Sequence, residues 1–246
     1  KLAGLPVSVK DCICVKGVES TAGSRILKGY KPVIDATVID RVKKAGGVII
    51  GKTAQDSFGF GSFSVNVGLD MNVPLNPYDK ERTCGGSSGG SGGLTQKADF
   101  AHISLGESTG GSIECPASFC GVIGFCPTYS RVSRYGLISY GNSFDKIGPM
   151  SKNMDDVALM MEVIAGDDPK DSTCSDSKVE KYTSYLKKDV KGMKIGVIKD
   201  AFAEGVSDEV SEAVWANIKK LEDLGVKYEE ISLPLSIKYG VPAYYL

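Results

Sequence analysis

Apolar residues along this chain follow two spacings, and the two alternate. A run ending Leu5-Pro6-Val7-Ser8-Val9-Lys10-Asp11 predicts a strand with Lys10 at its end. Val38, Ile39, Val42 and Ala45 share one face of a helix that Asp35 can cap and Gly46-Gly47 stops. Val48-Ile49-Ile50 follows as a short buried strand, and Ala101–Leu105 as another, directly before a glycine-rich stretch. Asn153 can cap a helix carrying Val157, Leu159, Met160, Val163 and Ile164, closed by Gly166. Ile195–Ile198 predicts a strand. Ser207 opens the clearest helix, with Asp208 and Glu209 in its first turn, where the helix dipole favours negative charge. Its stripe is Val210, Ala213, Val214, Ile218, Leu221 and Leu224; Gly225 ends it, and Val226–Ile231 reads as a strand. Alternating strands and helices predict a layered α/β domain whose central sheet is covered by helices. A mostly parallel and a mixed sheet fit this pattern equally. One domain is expected over residues 1–246.

Composition narrows the picture. With 42% apolar and 24% charged residues, the chain is ordinary for a globular protein. No apolar run approaches the ~18 residues of a membrane-spanning helix. The formal net charge of -1 argues against a general electrostatic grip on nucleic acid, leaving only a local patch at Lys187, Lys188, Lys191 and Lys194. The seven cysteines (12, 14, 84, 115, 120, 126 and 174) form no CxxC pair and are joined by a single histidine, so no metal site is expected. Reduced, mostly buried thiols in a cytoplasmic setting are the simpler reading. The chain opens without Met and almost on a strand, which reads as a piece of a longer protein.

Gly46-Gly47-Val48-Ile49-Ile50-Gly51-Lys52-Thr53 matches the phosphate-binding P-loop pattern. The pattern needs a strand before it and a loop that curls around phosphate. Here a helix precedes, and Val-Ile-Ile resists the turns required. The glycines read better as a helix stop and Val-Ile-Ile-Gly as a strand.

Two Gly/Ser nests, Gly85–Gly93 and Gly106–Ser112, lie one short segment apart. Successive amides ahead of a helix can surround an anion, and glycine admits backbone conformations that other residues avoid. Thr109, Gly110, Gly111 and Ser112 can therefore donate to an oxyanion, with Ser112 as nucleophile at the helix entry. A serine nucleophile needs a base. His102 has no assignable acidic partner and reads as a satisfied histidine on a strand. Lys10, flanked by Val7, Val9 and Ile13, suits burial away from carboxylates, which favours the neutral amine.

These residues resemble the amidase signature family. Lys10 in Val-Lys-Asp, the Gly-Gly-Ser-Ser-Gly-Gly block and Thr-Gly-Gly-Ser-Ile occur in the family's order. The resemblance implies a Ser–cis-Ser–Lys triad: Ser112 as acyl-enzyme nucleophile, Ser87 as bridging serine after a cis peptide bond, and Lys10 as base. It implies a mixed sheet covered by helices. Within the family, Pro127–Leu137, Ser143–Pro149, Asp171-Ser172-Thr173 and Val241–Tyr245 resemble the glutaminase subunits of tRNA-dependent amidotransferases. Such a subunit hydrolyses glutamine and passes ammonia to a partner. That B subunit binds tRNA and uses ATP and Mg to activate misacylated Glu or Asp on it. A small C-type subunit completes the assembly. This chain itself needs no cofactor and no membrane. Tyr244 resembles a tyrosine near the glutamine pocket.

The resemblance also implies that the chain covers about two-thirds of the family domain, lacking N-terminal helices and the C-terminal part that grips the charged ends of glutamine. Three positions depart from the family pattern. Ser108 stands where Asp is usual, with an acid displaced to Glu107. Glu114 stands where Arg is usual, and Cys126 where Lys is usual. Two alternative readings are a free-standing amidase of the same family and a catalytically inactive subunit for assembly or binding.

Overall fold

The strand expected around Val7 forms as β1 (Pro6–Lys10) in the computed structural model, which describes residues 1–68, 70–203 and 205–246. Contact density divides the chain into two compact units, residues 1–186 and 187–246, where the sequence reading has one domain. The second unit has few buried apolar side chains of its own, among them Val197, Ile218 and Val226.

In the first unit, α1 (Thr37–Lys44) is followed by β2 (Val48–Thr53), α2 (Gly89–Lys97) and β3 (Ile103–Ser108). Then come α3 (Glu114–Cys120), β4 (Ile123–Gly124), β5 (Lys146–Ser151) and α4 (Met154–Ile164). The strands form one sheet in the order β2-β1-β3-β5-β4. β1 runs parallel to both neighbours, whereas β5 is antiparallel to β3 and β4, so the sheet is mixed. Val7 and Val9 of β1 lie opposite Ile103 and Leu105 of β3. These four pack with Val38, Ile39 and Val42 of α1 and Met160 and Ile164 of α4, all fully buried. The other face of β1 carries Ser8 and Lys10, following the two-residue alternation of a strand. Both are buried as well.

Several expectations shift in detail. Asp35 does not cap α1; Ala36 holds the cap position without a side-chain bond. The Asp35 carboxylate is engaged instead by Lys16 N–H at 2.8 Å and Lys43 Nζ at 2.7 Å. Gly46 takes a left-handed conformation (φ 88°) and ends the helix as expected. β2 is an edge strand, so Val48 and Ile50 are exposed rather than buried. The helix before it and the extended Val48–Thr53 leave no phosphate loop. β3 runs three residues beyond its expected end, because Gly106, Glu107 and Ser108 pair with Gly148, Ile147 and Lys146 of β5. Asn153 caps α4, its side chain accepting from Asp156 N–H at 2.8 Å.

The first nest is only partly a loop. From Gly89 onward it is α2, despite glycine's poor helix propensity. Close packing accounts for this: a Cβ on Gly90 would sit 2.5 Å from Ala54 N, and one on Gly92 would sit 2.9 Å from Pro116 O. Only residues without a side chain let α2 approach the neighbouring backbone so nearly.

The second unit holds β6 (Lys194–Ile198), α5 (Asp208–Asp223), β7 (Lys227–Ile231) and α6 (Pro234–Tyr245), with β6 and β7 paired in parallel. Ser207 caps α5 as expected. Of the α5 stripe, Ile218 is buried, while Val210, Val214 and Leu224 are exposed. Among the described residues, no helix is long and apolar enough to cross a membrane.

Candidate active site

Lys10 ends β1 with its side chain wholly removed from solvent. Its Nζ donates to Ser87 Oγ at 2.8 Å, to the Glu107 carbonyl at 2.9 Å and to Glu107 Oε2 at 2.7 Å. Burial is thus as expected, but separation from carboxylates is not. The extension of β3 brings Glu107, itself 2% exposed, against the amine. A buried cation without such a partner would be costly, and this contact supplies one.

Ser87 sits in the short loop before α2, and the Gly86–Ser87 peptide bond is cis. The segment 56–66 holds this loop. Asp56 N–H donates to the Ser87 carbonyl at 3.3 Å, and Ser64 Oγ–H donates to it at 3.4 Å. The buried Asp56 carboxylate accepts from Ser64 N–H at 2.9 Å and Asn66 N–H at 3.0 Å. A Cβ on Gly86 would collide with that carboxylate. The sequence reading misses Asp56 and Ser64. A lone Asp and Ser in a loop carry no periodic signal; only their burial marks them.

Ser112 lies just before α3. Ser88 N–H donates to its carbonyl at 3.2 Å, and Ser88 Oγ–H donates to the Glu107 carbonyl at 3.0 Å. These bonds bring the Ser87 loop, the end of β3 and Ser112 together. The Ser112 hydroxyl itself has no hydrogen-bond partner among the described residues, so only the Lys10–Ser87 half of the expected relay is hydrogen-bonded. Of the expected oxyanion donors, Gly111 N–H donates to Ser108 Oγ at 3.1 Å. The amides of Thr109 and Gly110 have no acceptor among the described residues. Gly110 is exposed, so the nest opens to solvent.

The three departures from the family pattern meet in one place. Ser108 Oγ–H donates to Glu114 Oε2 at 2.9 Å, and Ile113 N–H donates to the same oxygen at 3.2 Å. The Cys126 thiol is pushed up to about 11, first by burial and then by the Glu114 charge. It therefore stays a neutral thiol beside that carboxylate. A hydroxyl and a thiol face the acid here, and the second nest is ordered by this local set.

Thr109 Oγ1 lies 3.0 Å from Glu107 Oε1 and 2.7 Å from Asp145 Oδ1. Asp145, fully buried, also accepts from Tyr140 N–H at 2.9 Å and Gly141 N–H at 3.0 Å. Burial, followed by the Glu107 charge, raises the Asp145 carboxyl above its ordinary value, against the hydrogen bonds that lower it.

His102 stands outside this constellation. Its Nε2 lies 3.0 Å from Ser8 Oγ, within a chain of buried hydroxyls in which Ser8 and Ser104 are 2.6 Å apart. Nδ1 has no partner among the described residues, so the ring is only half satisfied. Burial, then the Lys152 charge, lowers its pKa to about 4, and the imidazole is neutral at pH 7. Tyr244 lies on α6 in the second unit, its ring packed edge-on against Tyr245 at 5.0 Å. The seven cysteines are free thiols; Cys12, Cys14, Cys84 and Cys120 are buried. Among the described residues, no group of three or more His, Cys, Asp or Glu side chains is placed to hold a metal ion.

A mixed sheet seats a buried lysine against a serine that follows a cis peptide bond, beside a glycine nest holding a second serine. The sequence model of the family described as Amidase matches residues 1–246, and the chain belongs to this family. It is 49% identical over 245 residues to the Glutamyl-tRNA(Gln) amidotransferase A subunit of Methanosarcina mazei, covering 100% of this chain and 50% of that protein. It is 51% identical over 247 residues to the same-named protein of Koribacter versatilis, again covering 100% and 50%. The crystal structure of the Glutamyl-tRNA(Gln) amidotransferase A subunit of Thermotoga maritima superposes with a TM-score of 0.91 at 42% identity, over 98% of this chain and 52% of that one. The chain therefore spans about half the length of the relatives it matches, less than the two-thirds expected from sequence.

Proposed function

We propose that the full-length protein is the glutamine-hydrolysing A subunit of a tRNA-dependent amidotransferase. The observation that carries this reading is 49–51% identity, along the whole of this chain, to proteins named as that subunit. The buried Lys10–Ser87 contact supports the chemistry. Both compact units belong, in this reading, to one amidase domain, since the family match runs across them.

Ser112 Oγ attacks the side-chain carboxamide carbon of glutamine. Its proton passes to Ser87 as the Ser87 proton passes to Lys10. The amides of Thr109, Gly110 and Gly111 receive the oxyanion, with Gly111 turning from Ser108 as it does so. Collapse of the tetrahedral intermediate breaks the C–N bond, and the proton held by Lys10 returns through Ser87 to the departing nitrogen as ammonia. Water, activated by the same relay, then releases glutamate from Ser112. Tyr244 lines the glutamine pocket in the complete protein.

Ammonia is consumed by a B subunit that binds tRNA and uses ATP and Mg, with a small C-type subunit in the cytoplasmic assembly. The relatives' names favour Glu-tRNA(Gln) over Asp-tRNA(Asn) as acceptor. The test is co-expression of the full-length protein with such partners, followed by an assay for glutamine-dependent conversion of Glu-tRNA(Gln) to Gln-tRNA(Gln). Conversion dependent on both glutamine and ATP is expected. Hydrolysis of simple amides without any tRNA product would instead identify a free-standing amidase.

A further inference from the structure

We propose that Glu107 and Asp145, bridged by the Thr109 hydroxyl, hold one proton between them, and that its position sets the charge facing Lys10. Both residues act through Lys10 as positioning residues, and the proposal rests on the reading of Lys10 as the base.

The number of hydrogens at Thr109 sets the constraint. Thr109 Oγ1 approaches Glu107 Oε1 at 3.0 Å and Asp145 Oδ1 at 2.7 Å, but a hydroxyl has one hydrogen to donate. Were both carboxyls ionised, one of these contacts would set a lone pair against a lone pair. Bulk water does not reach it, since Glu107 is 2% and Asp145 0% exposed. One added proton resolves the conflict. The protonated carboxyl donates to Thr109 Oγ1, and Thr109 Oγ–H donates to the other carboxylate. Two like charges at such a distance disfavour double ionisation in any case.

Two arrangements satisfy every contact. In the first, Asp145 carries the proton and donates to Thr109, which donates to Glu107 Oε1. Glu107 is then an anion, and Lys10 faces it through Oε2 as an ammonium with three acceptors. In the second, Glu107 is protonated at Oε1 and donates to Thr109, which donates to Asp145. Glu107 Oε2 is now a neutral carbonyl. Lys10 as an amine donates its two hydrogens to Glu107 O and Oε2, and its lone pair is free for the Ser87 hydroxyl. Passing from the first to the second turns the Thr109 hydroxyl, shifts the shared proton from Asp145 to Glu107, and releases one proton from the Lys10 ammonium to solvent, since Lys10 goes from three hydrogens to two. Other charged or titratable groups around the set are few. From the segment after β1 comes Cys12, whose thiol is pushed up by burial and stays neutral. From β5 comes Lys146, whose Nζ donates to the Thr109 carbonyl at 3.3 Å. The Asp145 carboxylate is otherwise met by the backbone N–H groups of Tyr140 and Gly141.

The experiment uses the full-length protein, alone and with its partners. Infrared spectroscopy through a pH titration reads the carbonyl stretch of a buried protonated carboxyl. Wild type should show it at neutral pH, and Glu107→Gln and Asp145→Asn should each lose it, because either change leaves one carboxylate to accept from Thr109. Absence of the band in wild type, or its persistence in both variants, overturns the proposal whether or not the protein hydrolyses glutamine. The pH profile of glutamine hydrolysis gives the second readout. Glu107→Gln removes the anion and should move the acid limb to lower pH. Asp145→Asn leaves Glu107 a permanent anion and should move it to higher pH. Each shift should be about one pH unit or more. Movement in the same direction, or none, contradicts the role assigned here. A band that behaves as expected in a protein without glutaminase activity keeps the shared proton and rejects only the proposed function.

Discussion

Lys10 donates to Ser87 Oγ at 2.8 Å across 77 residues of chain, and neither side chain is open to water. A strand end and a loop before a helix are thereby fixed against each other, with the carbonyl and carboxylate of Glu107 completing the lysine's partners. Groups that pass one proton act as a unit. Lys10→Ala and Ser87→Ala should each lower glutamine turnover by about a hundredfold to ten-thousandfold. The double variant should be hardly worse than either single one. Steady-state kinetics on the three full-length proteins test this; losses that multiply would show that the two residues act separately.

His102 makes the opposite prediction. It lies among Ser8 and Ser104, not with Lys10 and Ser87, so His102→Ala should keep most of its activity. Its effect belongs to stability. With a folded pKa of about 4 against an ordinary 6.5, the native state refuses a proton that the unfolded chain accepts in that interval. Stability is therefore lost as pH falls from 6.5 toward 4, by about 3 kcal/mol once the pH is below both values. Urea unfolding at pH 7 and pH 4.5 should show His102→Gln losing less on acidification than wild type. Equal losses would place the acid sensitivity elsewhere.

Gly90 decides between helix propensity and packing. Alanine is favoured over glycine in a helix interior by about 1 kcal/mol. At this position, however, a Cβ would meet Ala54 N at 2.5 Å and Ala54 O at 2.6 Å, both backbone atoms that cannot swing aside. Overpacking of this kind costs about 1–3 kcal/mol or more. Gly90→Ala should therefore lower the unfolding midpoint and disturb the Ser87 loop. A stabilised variant with full activity would mean that α2 is held less closely than described.

Ser108 and Glu114 test whether the departures compensate one another. Ser108→Asp alone sets a second carboxylate against Glu114 and should loosen the nest. Combining Ser108→Asp with Glu114→Arg restores opposite charges at the two positions. A double-mutant cycle on unfolding free energy should give a favourable coupling of about 1 kcal/mol or more. Additive effects would show that the departures at these two positions do not compensate one another.

Much of this architecture is legible in the sequence, because it rests on local signals. Apolar spacing and caps place the helices begun by Asn153 and Ser207 within a residue or two. The motifs point to Lys10, Ser87 and the cis bond before it. What escapes depends on tertiary contact. Asp35 has the right chemistry for a cap, yet Lys43 and the Lys16 amide claim it. Val48 and Ile50 look like core residues, but an edge position leaves them exposed. Glu107 is visible as a displaced acid, while its contact with Lys10 follows only from the added length of β3. Asp56, Ser64 and Asp145 gain their roles by burial alone, and burial of a loop residue leaves no pattern in the chain.

Ser112 carries the central claim. In the full-length protein, assembled with its partners, Ser112→Ala should abolish glutamine hydrolysis and any acyl-enzyme, since no neighbouring group replaces the attacking oxygen. The same preparation should still form Gln-tRNA when ammonium is supplied directly, because the partner's chemistry is untouched. Glutamine and ammonium assays run side by side on this variant make the most direct test. Loss of the first with retention of the second is the expected result; glutamine hydrolysis that survives without the Ser112 hydroxyl would contradict the account.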